Sequence, residues 1–402
     1  LTNFKKILPV IVITQFFCTS LWFAGNAVLP DIVQIFHLAP SFLAHLTSAV
    51  QFGFITGTLV FAVLAISDRF SPVKVFFFSS VVAALFNLLI LYDGINLAGL
   101  LGSRFLTGFF LAGIYPVGMK IASDHYKEGL SKSLGFLVGA LVVGTAFPHL
   151  LKSLTYDLPW RYVIVCTSAL ALAGGLIMLL LVPDGPHRKA GQQMRFTSVL
   201  RIFRNGNFRS AAFGYFGHMW ELYAFWAFLP VMLTLYKQQH PATDLSIPFF
   251  SFLIIASGGL ACVIGGLLSQ KFGQRRIAAI ALSLSGICCV VSPLFLFNAP
   301  LIPFLAFLFF WGLAVVADSP LFSTLVAHNA PGESRGSALT IVNCIGFSIT
   351  IVSIQFLNAA ANYVDAQYLY MLLAMGPAAG LAAMYTGVDH LRPSGTSASG
   401  GQ

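Results

Sequence analysis

The stretches Ser67-Asp68-Arg69-Phe70-Ser71 and Ser269-Gln270-Lys271-Phe272-Gly273 share one pattern, small–polar–basic–Phe–small, about 200 residues apart. Each closes the second apolar run of its half of the chain. The twelve apolar runs are, within a few residues at each end, 7–29, 42–66, 73–92, 97–123, 132–154, 160–182, 210–235, 247–269, 277–297, 301–327, 337–358 and 368–389. A membrane-crossing helix needs about 20 mostly apolar residues. The breaks carry Gly, Pro, Asn or Asp, which end helices. The longest break, 183–209, is rich in Pro, Gly, Arg and Lys and separates six runs from six. Two parallel six-helix repeats place a solute cavity at their interface near the bilayer midplane. The expected architecture is an all-α membrane protein of twelve transmembrane helices in two six-helix pseudo-repeats around a central cavity. Its expected divisions are an N-terminal bundle over 1–182, a linker over 183–209, a C-terminal bundle over 210–391 and a disordered tail over 392–402.

Composition points the same way. Hydrophobic residues make up 57% of the 402 and charged residues 9%, against roughly 25% charged in soluble domains. Too few charges remain to cover a soluble surface, which excludes a cytosolic enzyme and a disordered chain. The formal charge of +9 lies in loops between apolar runs rather than on one face, so the bilayer and not nucleic acid is the expected partner. With the N-terminus inside, seventeen of the 22 basic residues fall on the inner side, three outside and two within helix 4. Lys and Arg favour cytoplasmic loops, so both termini are expected in the cytoplasm. The run 7–29 is too long for a signal-peptide core. The six cysteines lie in apolar runs without metal or redox spacing and read as small buried hydrophobes. Nothing calls for a metal or cofactor.

Ionisable groups deep in a membrane cost about 2.5–3.5 kcal/mol each on insertion scales and usually serve a function. Here they are Arg104, Lys120, Glu221 and Asp318, with His149 and His218. Glu221 lies about 11 residues, roughly 16 Å, into helix 7, and His218 is three residues earlier on the same face. Together they are candidates to take up and release a proton. A fixed ion pair holding the halves together is the competing reading. Arg104 suits either bidentate binding of an anion or pairing with an acid, and Tyr115 lies three turns on, on the same face. Lys120 is expected to snorkel or to pair with Asp124 at i+4. Pro116 is a possible kink between the two. Asp318, with Pro320 two residues on, fits an ion or solute site or a gating hinge. Gln15, Thr19, Trp22 and Asn26 form a polar stripe along helix 1 that is expected to face a wet central passage, with helix packing as the alternative. His149 reads as interfacial.

These motifs resemble the major facilitator superfamily over essentially the whole chain. The first loop keeps Asp68 and Arg69 of the pattern G-x-x-x-D-R-x-G-R-[KR], with Leu64 and Ser71 at its glycine positions and Lys74 as its late basic residue. The second keeps Gly266, Lys271, Gly273, Arg275 and Arg276, with Gln270 in place of the acid. Arg104-Phe-Leu-Thr-Gly108, followed by Gly113 and Pro116, is similar to the helix 4 signature R-x-x-x-G, and Trp160-Arg161-Tyr162 is typical of helix 6. Helix 5 carries Gly135, Gly139-Ala140 and Gly144 without the proline usual in drug antiporters. His218-Met-Trp-Glu221-Leu-Tyr with Ala317-Asp318-Ser319-Pro320 is similar to a bacterial branch often labelled nitrate- or cyanate-type porters.

The resemblance implies alternating access around a cavity formed by helices 1, 4, 7 and 10. It implies a gate at Asp68 and Arg69, with Lys271 and Arg275 in the second copy. The expected function is a secondary transporter, not an enzyme, that moves a small solute, with an anion favoured. Glu221 and His218 couple it to protons, and Arg104, Tyr115, Gln15, Trp22, Asn26 and Asp318 contact the solute. A gradient-driven uniporter or exchanger and a multidrug-type efflux carrier are the alternatives, and a non-transporting receptor is a further class. The expected setting is a monomer in a bacterial inner membrane.

Overall fold

The computed structural model describes residues 4–39, 41–126, 130–155, 158–188, 201–331 and 335–386. The expected tail and residues 189–200 of the expected linker lie outside these residues. Among them there are only helices, joined by turns and short loops. Eleven helices are long and apolar enough to cross a membrane, and a shorter apolar helix, Ile7–Thr19, precedes them.

Helix 1 runs Phe4–Thr19, breaks, and resumes as Ala24–Ala27 and Leu29–Ile35. Helices 2 to 6 are Phe42–Val63, Pro72–Leu89, Leu97–His125, Leu130–Leu154 and Arg161–Leu181. Helices 7 to 12 are Gly206–Gln239, Ile247–Phe272, Gln274–Phe295, Leu301–Asn329, Arg335–Ala360 and Ala366–Thr386. Helix 7 starts at Gly206, not Ser210, because the Asn205 side chain accepts from Phe208 N–H and caps it earlier.

The pairings in one half repeat in the other. Helix 1 packs on 5 and 6 as helix 7 packs on 11 and 12. Helix 2 packs on 4 as 8 packs on 10, and helix 3 packs on 6 as 9 packs on 12. Between the halves, helix 5 meets helix 8 and helix 2 meets helix 11. These are equivalent pairs under exchange of the halves, as a pseudo-twofold axis requires.

Helices 4 and 10 also break at matching places. Helix 4 divides into Leu97–Leu111 and Tyr115–His125, and helix 10 into Leu301–Ala314 and Ser319–Asn329. Pro116 and Pro320 sit at the start of the second piece in each. A proline lacks the N–H of the helical ladder and collides with the carbonyl four residues back. Pro230 in helix 7 lies inside an unbroken 34-residue helix, so its neighbours absorb the lost bond.

Two glycine contacts set the spacing. A Cβ on Gly108 would lie 2.0 Å from the Val50 carbonyl oxygen, so helix 4 touches helix 2 backbone to backbone. A Cβ on Gly139 would lie 3.2 Å from the Gly259 carbonyl oxygen, which places the crossing of helices 5 and 8 at a glycine pair. Small residues at such crossings let helices approach closely in lipid, where packing replaces the hydrophobic drive.

Candidate functional site

The middle of the molecule is aromatic. Trp22 stacks on Phe347 with ring centres 5.7 Å apart, and lies 4.8 Å from Phe54 and 5.9 Å from Tyr223. Phe23 meets Tyr223 and Trp226. These contacts join helices 1 and 2 to helices 7 and 11. On the face away from the N-terminus, Gln355 donates to Ser48 (2.9 Å), bridging helices 11 and 2. The halves are thus held together from mid-depth to that far face.

A small cavity of about 20 Å³ lies against the aromatic layer, room for about one water. Its walls include Tyr115 of helix 4, Tyr215 and Trp226 of helix 7, Ser319 and Ser323 of helix 10 and Asn343 of helix 11. Among the described residues no acidic side chain lines it. Trp226 Nε1 is buried without an acceptor.

Behind this cavity, the middle of helix 7 carries a carboxylate and an imidazole. Glu221 is fully buried and one residue from the middle of the helix. Trp311 Nε1 donates to its Oε1 (2.7 Å), Ser285 Oγ to its Oε2 (2.8 Å), and Cys289 Sγ to Oε1 (3.2 Å). Its partners lie on helices 9 and 10, within its own half. His218 turns instead to helix 10, with Nδ1 2.8 Å from Asp318 Oδ1. That contact is oblique: neither Asp318 oxygen has a directed hydrogen bond, and His218 Nε2 has no partner. His218 and Glu221 are neighbours on helix 7 that reach different helices.

Arg104 is also fully buried. Its Nη1 donates to Asn87 Oδ1 (2.9 Å), and its Nη2 to the carbonyls of Leu21 (3.0 Å) and Trp22 (2.7 Å). A broken helix leaves carbonyls that need donors, and the guanidinium fork supplies them at the break in helix 1. No carboxylate pairs with Arg104 among the described residues.

Several residues fall elsewhere than a straight-helix reading places them. The break at Ala112–Ile114 separates Arg104 from Tyr115, so Tyr115 lines the cavity while Arg104 points to helix 1. The polar stripe on helix 1 does not run along one face, because the helix breaks between Thr19 and Ala24. Gln15 packs against Gly118 of helix 4 with neither amide atom bonded, and Thr19 faces Gly144 of helix 5. Asn26 donates to Thr47 (2.7 Å) of helix 2. Trp22 alone of the stripe reaches the junction of the halves. Asp318 is turned to His218, while its neighbours Val316 and Ser319 line the cavity. The deep charges therefore stand one layer behind the passage that they were expected to surround. His149 is buried, and its Nε2 has no partner.

On the near face, which bears the N-terminus, Asp68 pairs with Lys120 (2.9 Å), and Lys120 also approaches Asp124 (3.8 Å). Arg188 donates to the carbonyls of Asp68 (3.2 Å) and Phe70 (2.6 Å), and Ser71 Oγ to Asp184 (2.7 Å). The first loop is thus fastened to helix 4 and to the chain just past helix 6. Arg69 is exposed. In the second loop, Arg275 donates to Ser210 (3.2 Å) and to the Met384 carbonyl, and Lys271 lies over the Phe272 ring at 5.3 Å. The second loop is thus fastened to helices 7 and 12 of its own half.

The partners of Glu221 and the Gln355–Ser48 bridge were not visible in the sequence. Serine, cysteine and glutamine in apolar runs carry no signal of what they face. Asn87, the amide in helix 3 that accepts from Arg104, was likewise not singled out in the sequence.

The family model of the Major Facilitator Superfamily matches residues 11–354. The chain belongs to this superfamily. A crystal structure of the human organic anion transporter MFSD10 has the same fold, with a TM-score of 0.73 over 95% of this chain and 99% of that one, at 13% identity. No curated protein matches the chain by sequence. The chain is therefore an integral multi-pass membrane protein and a secondary transporter of a small-molecule solute. Proteins of this family and fold are typically not enzymes.

Proposed function

We propose that this carrier moves a small organic anion by alternating access and couples its movement to protons through His218, Asp318 and Glu221. The observation that carries the reading is the buried His218–Asp318 contact at 2.8 Å, directly behind the cavity between the halves. Histidine is the side chain most used as a proton shuttle, and here it lies against a carboxylate. Both sit where the backbone of helix 10 is broken, so a rocking of the halves changes their surroundings. Glu221, three residues along helix 7, is the second proton acceptor of the group.

The cavity supports an anion. Tyr115, Tyr215, Ser319, Ser323 and Asn343 offer donors, Trp226 Nε1 is an unused one, and no acid opposes a negative charge. The name of the human relative agrees with this reading, at the level of fold. Arg104 acts through helix 1, whose break it holds beside Trp22. The conformation is closed from mid-depth to the far face, and Asp68, Arg69, Lys271 and Arg275 belong to the near-face gate. The excess of basic residues on the near face supports cytoplasmic termini; the proposed setting is a monomer in a bacterial inner membrane.

A second reading is a gradient-driven exchanger. It is favoured by the three donors that already hold Glu221, which suit a structural carboxylate. Purified protein in proteoliposomes, screened first by thermal shift against small anions and zwitterions, separates the two. Uphill uptake driven by an imposed pH gradient and abolished by a protonophore is expected. Equal equilibration with and without the gradient overturns proton coupling.

A further inference from the structure

Outside the central cavity, the described residues form a second and much larger pocket, of about 1190 Å³, on the near face of the C-terminal half. It opens between the loop joining helices 8 and 9 and the near ends of helices 10 and 12. Its rim carries Arg275, Arg276 and His328, and among the described residues no Asp or Glu lines it. Arg275 is already engaged by Ser210 and Met384, whereas Arg276 is exposed and makes no hydrogen bond or ion pair among the described residues.

The wall below the rim is apolar and faces outward from the bundle. Ile280 and Leu284, one turn apart on helix 9, are 47% and 38% exposed and line the pocket. Ile287, further along the same helix, continues the outward apolar face. The pocket therefore passes from cationic to greasy along helix 9, starting at its first turn. At 1.5 Å rise per residue, Leu284 lies roughly 12 Å deeper than Arg276. That is the order of the distance between a phospholipid phosphate and the upper part of its acyl chains.

We propose that this pocket holds one anionic phospholipid of the near-face leaflet. Its phosphate sits on Arg276, Arg275 and His328, and an acyl chain lies along Ile280 and Leu284. Charge complementarity selects the headgroup: guanidinium groups bind phosphate oxygens through paired N–H donors. Basic pockets between helices at this depth are where anionic headgroups bind in membrane proteins. The apolar wall selects a lipid over a free anion, since a soluble phosphate leaves it uncovered. The ligand would also bridge helices 9, 10 and 12, whose near ends move together in any rocking of the half.

The test uses the full chain. Phosphatidylglycerol added to detergent-solubilised protein is expected to raise the midpoint of thermal unfolding, and phosphatidylcholine and inorganic phosphate are not. In the double variant Arg276→Ala, His328→Ala, at least a tenfold higher phosphatidylglycerol concentration is expected for the same shift. With Leu284→benzoylphenylalanine in phosphatidylglycerol vesicles, illumination is expected to give a lipid adduct by mass spectrometry. An unchanged response in the double variant overturns the site. Equal stabilisation by inorganic phosphate overturns the lipid as its ligand. Cross-linking of position 284 to another part of the same chain, in place of lipid, shows that protein fills the pocket and overturns it as well.

Discussion

His218 Nδ1 lies 2.8 Å from Asp318 Oδ1, with both side chains about 1% exposed. The contact joins the middle of an unbroken helix to the break in another. Removing one partner of a buried polar contact leaves the other unsatisfied, at a cost of about 1–3 kcal/mol. Asp318→Asn with His218 retained is therefore expected to lose proton-driven uptake and also to lower thermal stability. Asp318→Asn, His218→Gln, which keeps two neutral polar groups in contact, is expected to recover the stability without the uptake. Full uphill uptake in the double variant removes the pair from the coupling mechanism.

Glu221→Gln keeps the size of the side chain and an acceptor for Trp311 while removing the proton site. Uphill accumulation is expected to fall to the level without a pH gradient, with counterflow exchange of solute retained. Loss of both activities together, with a lowered unfolding temperature, marks Glu221 as structural.

Arg104 is held by three hydrogen bonds to the helix 1 break and to Asn87. Hydrogen bonds to a charged group contribute about 1.5–3 kcal/mol each, with large overlap when they share one donor group. Arg104→Met leaves the Trp22 carbonyl without its donor and the Leu21 carbonyl with only the long bond from Ala24 N–H (3.5 Å), and a destabilisation of about 3 kcal/mol or more is expected in denaturant melts. Arg104→Lys, whose point charge cannot span the fork, is expected to recover only part. Wild-type stability in Arg104→Met means that the break does not depend on the guanidinium.

Gln355→Ala removes the side-chain bridge to Ser48 on the far face. A neutral hydrogen bond contributes about 0.5–1.5 kcal/mol, equivalent to a two- to tenfold shift between conformations. Labelling of a cysteine placed at Ala44, buried one turn from Ser48, by a membrane-impermeant reagent is expected to quicken by that factor when Gln355 is replaced. No change in rate shows that the aromatic layer alone closes this side.

Gly139→Val brings a branched side chain against the Gly259 carbonyl, where even a Cβ would be 3.2 Å away. The crossing of helices 5 and 8 joins the two halves, so transport rate is expected to drop severalfold or more. Solute affinity, measured by thermal shift, is expected to change less. Equal losses in both would place the effect in overall folding.

The amino-acid sequence by itself determined the class of the molecule. Twelve apolar runs with basic loops on one side can be satisfied only by helices in a bilayer, because every backbone group there must bond within its own helix. It also determined the repeat, through two loops of one pattern, and marked the deep charges, since each is costly in lipid. Which side chains those charges meet was decided by tertiary structure. Periodicity assumes a straight helix, and helices 1, 4 and 10 are broken, so the face carrying Gln15 to Asn26 and the line from Arg104 to Tyr115 do not persist. Ser285, Cys289 and Trp311 become the partners of Glu221 only because helices 9 and 10 pack against the middle of helix 7. No local pattern encodes that meeting: it depends on how closely the backbones approach, which glycines such as Gly108 and Gly139 set at a few crossing points.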